Sequence, residues 1–238
     1  MPDQAALAAP DDPHAALRAR WTEALEAART TPADGTAPDP TPYADNLIAR
    51  YQEPQRRYHT LTHLTAVLDH IDVLERALAQ AGTPAPDPTP VADLALVRLA
   101  AWFHDAVYAP DRSENEERSA RLAERALTEA GVSPAGTAEV ARLVRLTVTH
   151  APAPDDLAGQ VLCDADLAIL AAPPETYSAY TAAVREEYAF VPEDAFREGR
   201  AAVLRQLLAL PRLFWTPYGT ERWEKAARDN ITAELERL

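Results

Sequence analysis

Three features of the sequence predict an all-α protein. Segments rich in Ala, Leu, Arg and Glu carry apolar residues three or four positions apart, the spacing of one helical face. Short breaks rich in Pro, Thr and Asp separate these segments. The strict apolar and polar alternation of a half-buried strand is nearly absent.

On this reading a first helix over 13–30 stops at a Pro-rich break, 31–41, and a second follows over 42–52. Helices are then expected over 59–81, 90–107, 114–131 and 134–150, with further Pro-rich breaks at 82–89 and 151–156. The rest fall at 164–171, 174–189, 193–209 and 220–237. Pro-rich breaks read as stiff, extended connectors. The string APDPTP occurs twice, at 37–42 and 85–90. Thr41 and Thr89 are expected to cap helices that begin at Pro42 and Pro90, where proline's missing N–H costs nothing. Beyond the repeat the copies diverge, one running into Tyr-His and the other into Trp-Phe-His-Asp, so a duplicated domain is not expected.

Composition narrows the function. With 238 residues, 47% of them hydrophobic, the chain can build a real core, burying about 70–75% of the surface its unfolded form exposes. No apolar run approaches the roughly 18–20 residues of a bilayer span. The opening MPDQAALAAPDDPH lacks a basic segment followed by an apolar one, so a secretory signal is not expected and the expected compartment is the cytoplasm. Cys163 is the only cysteine and can form no internal disulfide. The formal charge of 23 − 37 = −14 argues against duplex nucleic acid as a partner. A small anionic substrate stays compatible, because a divalent cation can dominate the field of a pocket.

The chemistry-bearing residues are few and clustered by type. Of six histidines, His59, His63, His104 and His150 stand where metal chemistry needs them. His59 and His63 are four apart in a segment of helical period and should project from one face. His104-Asp105 closes the apolar run LALVRLAAWFHD. A charge pair at the end of a core helix needs a partner, and imidazole with carboxylate suits Zn, Mn, Fe or Ni, while a carboxylate and water shell suits Mg. Asp164 and Asp166 lie within the apolar VLCDADLAIL. On a helix they diverge by roughly 200°, so one faces the ion and the other caps or supports, with Asp166 favoured as the ligand. Any one of these residues alone reads as a cap or a packing residue. Taken together, His-x-x-x-His, His-Asp and Asp-x-Asp on apolar helices point to one site. His70, two turns beyond His63 and roughly 10 Å along the axis, reads as surface.

This pattern resembles the HD-domain superfamily of metal-dependent phosphohydrolases, whose signature is His…His-Asp…Asp on a helical scaffold. The likeness is strongest to a bacterial branch of predicted HD phosphohydrolases, through PQRRYHTLTHL, AAWFHDAVY, ENEERSA, TVTH, DADLAIL, YSAYTAAVREEY and ARDNITAEL. These strings run from Pro54 to Leu235, about three quarters of the chain. The resemblance implies one HD-like helical bundle over 1–238, with an N-terminal helix and connector over 1–41 and the HD core with C-terminal helices over 42–238. It implies that His63, His104, Asp105 and Asp166 hold a divalent metal, one of Mn, Mg, Zn, Fe, Co or Ni. His59 is then the neighbour that protonates a leaving group or holds substrate, and Asp105 also orients the attacking water. Related cyclic-nucleotide phosphodiesterases carry Tyr-His-Asn where this chain has Tyr58-His59-Thr60, a departure that weighs against cyclic nucleotides more than against a metal.

Softer expectations surround that set. His150 and Glu116 are candidates for a second ion or for supporting the first, with Asp164 in the same class, and His150 reads equally as a helix end before Pro152. Glu117 reads as exposed. Arg56 is a candidate phosphate clamp and Arg185 a weaker one, while Arg57 and Arg185 read rather as surface ion pairs. Tyr177, Tyr180 and Tyr188 share a helical face that packs in the core or stacks on a base, with Tyr188 a candidate substrate contact. Trp102, Trp215 and Trp223 read as helix anchors. The implied function is hydrolysis of a small phosphate monoester, a nucleotide above others. The alternatives are a non-catalytic nucleotide- or metal-binding module and a dinuclear-iron oxygenase on the same scaffold.

Overall fold

Helix α4, Pro90–Phe103, ends in five consecutive buried residues, Leu99 to Phe103. A helix apolar on every side belongs at the centre of a bundle. Around α4 pack α1 (Ala15–Ala28), α3 (Leu61–Gln80), α5 (Asn115–Glu129), α6 (Pro134–Leu146) and α7 (Leu157–Leu167). The computed structural model describes residues 12–29, 37–81 and 90–238, with the backbone alone for 90–93. Among the described residues the structure is all-α, with eleven α-helices, one 3₁₀ turn and no strand beyond an isolated bridge between Arg29 and Val132. No described helix is long and apolar enough to cross a membrane.

The main core joins α1 to α4 through Trp21, whose ring meets Trp102 and Phe103 edge-on at 5.5 and 5.9 Å. Helix α2 (Thr41–Tyr51) closes one side, contributing Leu47, Ile48 and Tyr51. A second, smaller core of Leu170, Leu204, Leu213, Phe214 and Ile231 lies under the C-terminal elements. These are the 3₁₀ turn Ala168–Ala171, α8 (Pro174–Glu187), α9 (Glu193–Ala209), α10 (Pro217–Arg222) and α11 (Glu224–Leu235). Trp223 packs against both cores.

Several boundaries differ from the sequence expectation. Helix α7 starts at Leu157 and not at 164, capped by Asp156, which accepts from the Gly159 N–H. Seven of its residues in a row, Gly159 to Ala165, are buried, so no amphipathic period marks it. The break before it turns back at Asp156, whose N–H bonds the Ala153 carbonyl, and is not simply extended. The helix expected over 220–237 is two, with Thr216 capping α10 through Gly219 N–H and Pro217 in its first turn. Thr41 is the first residue of α2 and not its cap, and Asp39 accepts its N–H. The capping role of Thr89, the break at 82–89 and the first part of the break at 31–41 lie outside the described residues.

Candidate metal centre

Three buried or nearly buried side chains from three helices converge. His63 comes from the first turn of α3, His104 from the residue that follows α4, and Asp166 from the last turn of α7. One ligand atom from each lies within 4.8 Å of the others, and the group could hold a metal ion. His63 Nε2 stands 3.2 Å from His104 Nε2 and 3.2 Å from Asp166 Oδ1, and His104 Nε2 is 3.6 Å from Asp166 Oδ1. Ligand atoms about 2.1 Å from an ion are roughly 3.0–3.4 Å apart when they subtend 90–110°. The spacing and the donor chemistry therefore fit a divalent cation. Asp105 adds a second carboxylate, its Oδ2 3.0 Å from His104 Nε2 and 3.5 Å from His63 Nε2.

Local hydrogen bonds aim these groups. His104 Nδ1 donates to the Ala101 carbonyl at 2.7 Å, so the ring, once Nε2 gives up its proton, presents that nitrogen's lone pair to the cluster. Asp166 turns Oδ1 to the histidines because its Oδ2 accepts from His150 Nε2 at 2.8 Å. His150 does this from a left-handed backbone at φ 50°, a conformation uncommon for a side chain-bearing residue. Its N–H also bonds the Leu146 carbonyl, so it closes the end of α6 while steadying Asp166.

The cluster favours positive charge. Burial alone would push His63 down, but the Asp105 and Asp166 carboxylates raise it. Burial likewise opposes the charge on His104, and Asp105, with Tyr51 and Asp166 behind it, holds it well above the usual imidazole range. Against the same burial, Asp105 and Asp166 are held well below the usual carboxylate range, chiefly by His104. Protons and a divalent cation thus compete for one pocket.

His59 does not lie on a helix with His63. It sits in the turn before α3, and the rings are 5.7 Å apart between centroids. What fixes it is Glu187, a residue that sequence reasoning missed. Glu187 Oε1 accepts the N–H groups of Arg57, Tyr58 and His59 at 2.8, 2.8 and 2.9 Å. Its Oε2 stands 2.7 Å from His59 Nδ1 and accepts from the Tyr108 hydroxyl at 2.9 Å. Tyr108 also stacks on the His59 ring at 4.2 Å. A signal for Glu187 exists in the sequence: Tyr177, Tyr180, Val184 and Glu187 follow one another at three, four and three, so Glu187 continues a buried face.

Other candidates are corrected. Arg56 is no phosphate clamp: its side chain is fully buried, and it donates to the carbonyls of His59, Asp105 and Ala106. It brackets the His59 turn to the Asp105 turn, between the rings of Tyr51 and Tyr108. Arg185 is spent on Glu193 and on the carbonyls of Tyr188 and Val191, closing the end of α8. Tyr188 packs beside Phe190 and Phe196. Asp164 is no metal group either. It accepts the Trp215 and Thr216 N–H groups and the Thr216 hydroxyl at 2.7, 2.8 and 2.6 Å, tying α7 to α10. Gly219 permits that approach, since a Cβ there would sit 2.5 Å from Asp164 Oδ2.

Glu116 stands in the first turn of α5, outside the cluster. Glu117 is not simply exposed but pairs with Arg121 and Arg145. His70 is not surface: its Nδ1 reaches the Ala165 carbonyl and its ring meets Trp223 edge-on. Tyr177 bonds Glu234, and Tyr180 accepts from Arg200.

A cleft of about 330 Å³ opens beside the cluster, and His63 and Asp166 are among its lining residues. Arg57, Tyr58, His70 and Tyr180 line it too, whereas Arg56, His59, His104, Asp105, Arg185 and Tyr188 do not. A cavity of about 390 Å³ between Tyr43, Phe103 and Arg125 contains none of the cluster. Comparison of the chain with family models, curated proteins and solved structures finds no match in any of the three.

Proposed function

We propose that this protein is a metal-dependent phosphohydrolase of the HD-domain type that cleaves a small phosphate monoester with water. The observation that carries the reading is the convergence of His63, His104 and Asp166, joined by Asp105, beside an open cleft. Those four residues would hold the ion. Once bound, a divalent cation supplies charge against the phosphoryl oxygens and makes water a stronger nucleophile at neutral pH.

The chain's own groups do the rest. In the reaction a water oxygen bonds to phosphorus, the bond from phosphorus to the leaving oxygen breaks, and one water proton ends on the leaving alcohol. Asp105 and Asp166 orient water through their carboxylate oxygens. His59, its Nδ1 engaged by Glu187, keeps Nε2 free of partners among the described residues, and this nitrogen delivers a proton to the leaving oxygen. Glu187 and Tyr108 hold that ring in one orientation, so little is lost in ordering it.

A panel of phosphate esters tests the reading. Metal-stripped protein resupplied with each divalent ion should release phosphate from at least one ester. Asp105→Ala should lower the rate about a hundredfold or more. Metal binding with no turnover of any ester, or full activity in Asp105→Ala, overturns the proposal.

A further inference from the structure

We infer that the cleft beside His63 and Asp166 receives the compact, apolar body of a monophosphate ester, an aryl or branched-alkyl group, with the Tyr58 hydroxyl donating to its phosphate. The turnover of such an ester rests on the phosphohydrolase reading. Its binding does not.

The walls of the cleft carry the argument. Ala66, Val67, Ile169, Ala179 and Ala183 line it together with the Tyr180 ring, and among the described residues no Lys, Glu, Asn or Gln does so. Among the described residues, polar wall groups away from the metal ligands reduce to the Thr60, Thr62, Thr176 and Tyr58 hydroxyls, Arg57, the Tyr180 hydroxyl, which Arg200 engages, and the His70 ring, whose Nδ1 meets the Ala165 carbonyl. A nucleobase placed there would give up hydrogen bonds to water for its ring N–H and carbonyl groups with few partners in return, whereas an aryl or alkyl body gives up none. At about 330 Å³ the space lies at the small end of ligand sites, which run from roughly 300 to 1,000 Å³.

Charge points the same way. Arg57 is the one Lys or Arg among the described lining residues, and its Nη1 is already engaged by the carbonyls of Pro54 and Arg56. Each further phosphate of a di- or triphosphate would need a cation that the walls do not offer. One phosphate beside the cluster needs none of them.

Tyr58 supplies the second, independent observation. Its hydroxyl is buried with no hydrogen-bond partner among the described residues. The ring stands 4.7 Å from that of His63 and 4.6 Å from that of Tyr180, at the seam between the cluster and the cleft. A phosphate oxygen that reaches it would accept the bond that no described protein group accepts.

Calorimetric titration of the full chain loaded with Mn²⁺ tests this without turnover. The probes are inorganic phosphate, phenylphosphonate and the non-hydrolysable phosphonate analogues of AMP and ATP. Phenylphosphonate should bind about tenfold more tightly than phosphate and more tightly than either nucleotide analogue. Ala183→Trp, and Ala179→Leu as a milder filling of the same wall, should erase that advantage while leaving metal content and phosphate affinity in place. Tyr58→Phe should weaken phosphate and phenylphosphonate alike, by about tenfold. A nucleotide analogue that binds more tightly than phenylphosphonate, or a phenyl advantage that survives both filling variants, overturns the inference. The expected binding order with no hydrolysis of any ester would overturn the phosphohydrolase reading alone.

Discussion

Glu187 Oε2 stands 2.7 Å from Nδ1 of His59, although 128 residues separate the two along the chain. The carboxylate also gathers three consecutive backbone N–H groups, so it holds both the turn and the ring that the turn carries. One buried side chain thereby decides where His59 stands.

The Glu187 contacts predict a pH signature. Burial would raise its carboxyl, but His59 and the backbone N–H groups overcome that and bring it down to about 2, against an ordinary 4.5. A carboxyl depressed on folding stabilises the protein above its unfolded value, and the contribution is lost as pH falls through the folded one. Wild type should therefore exceed Glu187→Gln by about 3 kcal/mol at pH 7 in urea unfolding, with the gap closing between pH 4.5 and 2. A gap that stays constant over that range contradicts the assignment.

The neighbouring carboxylates Asp164 and Asp166 should part company. Burial pushes Asp164 up to about 6 against three hydrogen bonds that favour its ionised form. Asp164→Ala leaves two N–H groups and a hydroxyl without their acceptor and should cost about 3 kcal/mol in stability with metal content intact. Asp166→Ala should lose the metal by elemental analysis. Equal metal loss in both variants would contradict the division of roles.

Arg56 and Arg57 should differ: the first is tied into the fold, whereas the second keeps its reading as a surface ion pair, 3.6 Å from Glu186. Arg56→Ala strips three carbonyls, that of Ala106 buried and those of His59 and Asp105 partly buried, of their donor and should destabilise the fold by about 3 kcal/mol by chemical denaturation. Arg57→Ala, at an exposed side chain, should change stability by less than about 1 kcal/mol.

Metal removal should register in stability and in pH. A cation that binds only the folded chain adds about 2.7 kcal/mol at a hundred times its dissociation constant, so chelation should lower the melting temperature. Because His63 and His104 hold protons above their ordinary range, affinity should tighten as pH rises through that range. His104→Ala should abolish both effects, read by calorimetry from pH 6 to 8.

Periodicity along the chain was enough for the all-α class and for most elements, because an amphipathic helix writes its buried face into its spacing. The span expected at 193–209 coincides with α9, Glu193–Ala209. It failed at α7, where residues Gly159 to Ala165 are buried on all sides and spacing carries no signal. Residue type likewise singled out His63, His104 and Asp166 before any geometry, since charged and imidazole groups inside apolar runs need partners.

What the linear pattern left open was direction. Asp164 and Asp166 sit in the same apolar run, and only packing against α10 turns one to Thr216 and the other to His63. Arg56 and Arg57 are adjacent, and only the approach of the Asp105 turn buries the first and leaves the second at the cleft. Spacing reports which residues share a helical face. Which long-range group meets each side chain is decided when the helices pack, because a buried hydrogen bond is satisfied by whatever the fold brings within about 3 Å.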